Sequence, residues 1–121
     1  MDDEAALERN LIDYGLGDGN QRPVGTRAVH LVHPKDPAFA SARQVLAAHG
    51  VDFNSHINGI FLPIDTHSSH AAVPRERIVG NPRFAAYLNE ALRTQQDSTA
   101  AVEQVLSDTY LRLSAGNDQF F

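Results

Sequence analysis

The chain contains no cysteine in its 121 residues. A disulfide framework, a zinc-thiolate site and a cysteine nucleophile are therefore all excluded, and any metal must be held by His, Asp, Glu or Asn. Lysine is nearly absent: of the 10 Lys and Arg residues only Lys35 is a lysine. Arginine is the better residue for bidentate contact with phosphate or carboxylate. Arg22, Arg27, Arg43, Arg75, Arg77, Arg83 and Arg93 are thus available for local phosphate contacts, with ordinary surface solvation as the alternative. An excess of positive charge is also lacking. The formal net charge of -5 removes the broad basic face of a sequence-reading nucleic-acid binder, while leaving room for a small enzyme that touches a few phosphates. No apolar run approaches the length of a bilayer span, so no membrane partner is expected. The opening residues "MDDEAALERN" are acidic, without a basic segment followed by an apolar one. No signal peptide is expected in this chain, and export would use another route.

What is present reads as one domain over residues 1–121, with 42% hydrophobic and 21% charged residues. "DEAALERNLIDYGL" predicts a short amphipathic helix on Ala5, Leu7, Leu11 and Ile12, stopped by Gly15 and Gly17. "AVHLVH" predicts a strand ended by Pro34. A helix follows from Pro37 to Gly50, and "VDFNSHINGIFLP" predicts a turn at Asn58-Gly59 leading into a second short strand. The stretch "IDTHSSHAAVPRERIVGN" is irregular. Two helices close the chain, one capped by Asn81 with Pro82 behind it and one over about residues 98–114 capped by Ser98; residues 115–121 form a tail. The fold class expected is α+β, mainly helical, with one short two-stranded element packed on helices.

Six histidines are candidates for chemistry. His49 falls at a helix end and His56 in a turn, where structural or exposed roles suffice. His67 and His70 share the irregular loop with Asp65, at a spacing that could present ligands. His30 and His33 lie in the first strand, three positions apart. Side chains alternate along a strand, so the two should face opposite ways unless the strand ends between them. His30, flanked by Val29 and Leu31, is either a hydrogen-bonded core histidine or a residue with a tuned pKa beside a cleft.

Taken in order, "ALERNLIDYGL", "RPVGTRAVHLV", "SARQVLAAHGVDFNSHINGIFLP" and "NPRFAAYLNEAL" resemble the AHH nucleases, a branch of the HNH and His-Me finger (ββα-metal) endonucleases found as toxin domains of secreted bacterial effectors. The resemblance covers roughly residues 5–93. It rests on "AVHLV" (Ala28 to Val32), "HGVDFN" (His49 to Asn54) and "NGIFLP" (Asn58 to Pro63), which match the family's motifs in order and spacing. It implies a ββα-metal core and a metal-dependent endonuclease that hydrolyses nucleic-acid phosphodiesters, DNA before RNA, in interbacterial competition. His30 matches the family's general base. Asn58 matches its asparagine and would orient the imidazole or brace the turn.

In the family the first histidine of the pair helps to bind the metal; here that position is Val29, and Pro74 and Val79 stand near positions where the family carries later histidines. The expected ligands are therefore His67, His70 and Asp65, with Mg²⁺ as the cation, or Zn²⁺, Mn²⁺ or Ni²⁺. The other outcome is an AHH-fold pseudo-nuclease without a cofactor, acting as a binding or interaction domain. The resemblance further implies delivery by a specialised secretion system, action in the target-cell cytoplasm on a DNA substrate, and a cognate immunity protein as partner.

Overall fold

Asp2 accepts a hydrogen bond from the Ala5 amide at 2.7 Å and starts helix α1, Asp3–Asp13. Acidic residues in its first turn suit the positive end of the helix dipole. Strand β1, Thr26–His30, follows; then a 3-10 turn at Pro37–Phe39 leads into α2, Ala40–Ala48. A second 3-10 turn, His56–Asn58, precedes β2, Gly59–Pro63. A third, Arg75–Arg77, leads to α3, Pro82–Thr94, and then to α4, Thr99–Ser114. The structure is a computed structural model and describes residues 2–65 and 70–121.

The architecture is α+β: four helices and a two-stranded antiparallel sheet among the described residues. The expected caps Asn81 and Ser98 both accept from the first turn of their helices. Two boundaries differ from the sequence reading. The helix expected from Pro37 opens as a 3-10 turn with Pro37 in its first position and Asp36 as its cap, taking the Ala38 amide at 2.9 Å. The strand expected to run to His33 stops at His30. Its end is set from the side: the amide group of Asn58, fully buried, accepts from Val32 N at 2.9 Å and donates to Val32 O at 3.0 Å. Those contacts satisfy both backbone groups of the buried Val32 and hold the chain in the turn that follows the strand.

Register pairs Val29 with Ile60 and His30 with Gly59. The sheet has an apolar environment on each face. Ala28 packs with Leu7 and Leu11 of α1, with Phe61 against them. Val29, Ile60 and Leu62 belong to the main core, which they share with Phe84, Leu88 and Leu106 of α3 and α4. Strand alternation puts His30 on the Ala28 face, beneath α1. The same alternation turns Val29 to the main core, and Val29 also lines a cleft that His30 shares. No helix among the described residues is long and apolar enough to cross a membrane.

Candidate functional site

His30 closes β1 and is held by a chain of polar contacts that begins in α1. Its Nε2 lies 2.8 Å from Asn54 Oδ1, and Asn54 Nδ2 donates to Asp3 Oδ1 at 3.2 Å. The direction of this chain is determined by its acidic end. A carboxylate accepts, so the amide must present its NH2 to Asp3 and its oxygen to His30, which puts the imidazole proton on Nε2. Nδ1 keeps its lone pair and has no hydrogen-bond partner among the described residues. Asn54 is itself fixed through its backbone, donating to Asp52 Oδ1 at 2.8 Å and accepting from Asn10 Nδ2 at 2.7 Å.

The electrostatics suit a base. Burial lowers the His30 pKa from its ordinary value of 6.5, a neighbouring His33 lowers it further, and the Asn54 bond with the Asp3 and Glu4 charges opposes the shift. The ring is thus held mainly in its neutral, proton-accepting form at neutral pH. The bond from Asn54 is also the largest influence on Asp3, whose carboxyl is lowered below 3.8, with Lys35 Nζ 3.7 Å from its other oxygen.

Because β1 stops at His30, His33 does not face the opposite way as a continuous strand would require. The two rings lie with centroids 6.2 Å apart and both line one cleft of ≈ 270 Å³. His33 Nδ1 accepts from the amides of Lys35 and Asp36, each at 3.0 Å, which directs its neutral-form proton to Nε2. Arg43 pins the same turn by donating to His33 O at 2.9 Å and Asp36 O at 2.6 Å.

The cleft follows the free edge of β1. Leu31 N bonds to Asn58 O and Ile64 N to Gly25 O, so the odd-numbered residues of β1 bond across to β2. Ala28 and His30 turn their backbone groups to the open edge. One wall is the first turn of α1, where Asp2, Asp3 and Glu4 lie; the other carries Arg75, Val79 and Phe84. Pro74 caps the 3-10 turn that presents Arg75, and Val79 is 44% exposed on the cleft wall.

Of the remaining expected site residues, Asn58, His70 and Asp65 have other settings. Asn58 braces the Val32 turn and also donates to Phe53 O at 2.9 Å; the imidazole's partner is Asn54. Of the two roles open to Asn58, bracing is the one its contacts supply. His70 Nε2 is 2.7 Å from Val24 O, beside Gly25, and Asp65 follows the Thr26–Pro63 pair. Both belong to the end of the ribbon opposite His30, a separation of roughly 13 Å along a five-residue strand. His67 lies outside the described residues. No group of three His, Asp or Glu side chains among the described residues is placed to share a cation. His49 bonds Thr99 at 3.3 Å and His56 stacks on Tyr14, both outside this cleft.

Sequence reasoning missed Asn54 and Asp3 as partners of His30. The available signal was the "HGVDFN" motif, which ends on Asn54. No family model, curated protein or solved structure matches the chain.

Proposed function

We propose that the chain is a nuclease domain of the AHH, His-Me finger type, with a ββα-metal core opened by the long β1–β2 connection, and that it hydrolyses phosphodiesters with His30 as general base. The observation that carries this reading is the Asp3–Asn54–His30 chain, which leaves His30 Nδ1 without a hydrogen-bond partner among the described residues, on a side chain that lines a cleft. In the reaction His30 Nδ1 takes a proton from water, the water oxygen bonds to phosphorus, and the ester P–O bond breaks as the leaving oxygen acquires a proton from solvent. Asn54 accepts from the imidazolium that forms, and the Asp3 carboxylate favours its charge through Asn54. The resemblance extends the proposal to a DNA-cleaving toxin delivered between bacteria, neutralised in its producer by an immunity protein.

A second reading has its own observation. Asp65 and His70 sit at the far end of the ribbon from His30, an arrangement that fits a pseudo-nuclease acting as a binding domain. A plasmid-cleavage assay with a divalent-cation series and an EDTA control, run beside His30→Ala, separates the two. The nuclease reading expects cleavage by the parent and a loss of about 10²- to 10⁴-fold in the variant, the ordinary worth of a general base. Equal cutting by parent and variant sinks the assignment of His30; an intact plasmid under every condition favours the binding domain.

A further inference from the structure

The structure sorts the seven arginines that the sequence offers for phosphate contact. Arg22, Arg27, Arg77 and Arg93 form ion pairs with Glu8, Glu4, Asp118 and Glu90. Arg43 and Arg83 donate to backbone carbonyls. Arg75 alone of the seven has no hydrogen-bond or ion-pair partner among the described residues, and its Nε is buried. It is also the one of the seven that lines the His30 cleft.

A buried guanidinium nitrogen without an acceptor is unfavourable in a finished structure and calls for a missing group. The carboxylates on the facing walls are already engaged. Asp2 accepts from the Ala5 amide, Asp3 from Asn54, Glu4 from Arg27 and Asp36 from the Ala38 amide. No described residue thus supplies an acceptor to the Arg75 side chain, and the cleft that it lines is where one can enter. The guanidinium fork matches two oxygens of a tetrahedral oxyanion, and His33, with its proton directed to Nε2, adds a donor on the same cleft.

We infer that Arg75 is the oxyanion-binding residue of this cleft and takes the non-bridging oxygens of a phosphoryl group. That the group is a scissile phosphodiester rests on the nuclease reading; the anion site itself does not. Arg75 then holds the phosphorus centre beside the strand edge that carries His30, and its positive charge offsets the negative charge that grows on the phosphoryl oxygens during attack.

The test is a titration of the full ¹⁵N-labelled chain with inorganic phosphate, with a short single-stranded oligodeoxynucleotide and with acetate, following the Arg75 Nε–H resonance. Phosphate and the oligonucleotide should both move it, acetate much less. Arg75→Gln should weaken phosphate binding at least about tenfold, the worth of a charge-assisted hydrogen bond, with Arg75→Lys intermediate. His30→Ala should bind phosphate while cutting nothing. An Arg75 resonance unmoved by phosphate and by the oligonucleotide in the parent overturns the inference, whether or not the variants fold. An acetate response equal to that of phosphate overturns the phosphoryl assignment. If phosphate moves Arg75 but the parent cuts no nucleic acid, the anion site stands and the nuclease reading falls. If the parent cuts and Arg75→Gln cuts equally well, the reverse holds.

Discussion

Asn54 Oδ1 sits 2.8 Å from His30 Nε2, and this one contact determines which nitrogen of the imidazole is basic. The bond spans 24 positions in the chain and joins the end of β1 to the turn before β2. Its acceptor is an amide rather than a carboxylate, so it fixes the tautomer without adding a full charge next to the ring. The charge is kept one residue further away, on Asp3.

Removing the Asn54 amide should therefore impair activity without impairing the fold. In Asn54→Ala the backbone contacts to Asp52 and Asn10 remain possible, because they use the main-chain atoms of residue 54. Cleavage is expected to fall at least about tenfold while thermal stability stays near that of the parent. Nitrogen chemical shifts of His30 give the decisive readout: the parent should show the Nε2–H form and the variant a mixture. An Nδ1–H form in the parent would remove the base from the proposed mechanism.

The pH dependence follows from the direction of the His30 shift. Burial holds its folded-state pKa below 6.5, so between 6.5 and that lower value the unfolded chain binds more protons than the folded one. Stability contributed by the neutral ring is complete above 6.5 and declines as pH falls through this window. Asp3 behaves in the same sense at lower pH: its depressed carboxyl loses its contribution as pH drops below 3.8. Urea unfolding at pH 7 and pH 5 should show a smaller loss for His30→Gln than for the parent. The acid limb of the cleavage rate should have its midpoint below pH 6.5.

The elements were legible where their determinants are local. Asn81 with Pro82, Ser98, and the alternation in "AVH" and "GIFLP" all act within a few residues, and they specify the helix starts and strands that form. The candidate site was legible only at His30. The groups that tune it come from positions 3 and 54, and neither residue type signals a long-range partner on its own. The end of β1 was misplaced for a related reason. "AVHLVH" has strand composition throughout, but the amide group of Asn58, 26 positions away, binds both backbone groups of Val32 and holds a turn where the strand would have continued. That break is what brings His33 into the cleft.

Gly59 faces His30 across the strand pair, and a Cβ there would run into the Leu7 side chain, which is fully buried. Its backbone is ordinary extended chain, so the requirement is for space and not for unusual dihedrals. Gly59→Ala should force Leu7, and α1 with it, off the sheet at a cost of about 1–3 kcal/mol. Asp3 begins that helix, so the His30 relay should loosen as well. The measurement is thermal unfolding together with the His30 tautomer; a variant with parental stability and tautomer would show that α1 is free to give way here.

Asn58 and Asn54 supply the sharpest contrast, because two asparagines four positions apart are predicted to fail differently. Asn58 has no exposure and holds three main-chain groups, Val32 N, Val32 O and Phe53 O. Alanine there leaves those groups buried and unsatisfied, at about 1–3 kcal/mol each before any relaxation. Asn58→Ala should therefore lower the denaturation midpoint substantially and lose activity in step with stability, since the turn carrying His33 would no longer be held. Asn54→Ala should lose activity alone. Measuring stability and cleavage for both variants distinguishes the brace from the orienting group, and an Asn58→Ala protein that is stable but inactive would instead give Asn58 the direct role that its motif first suggests.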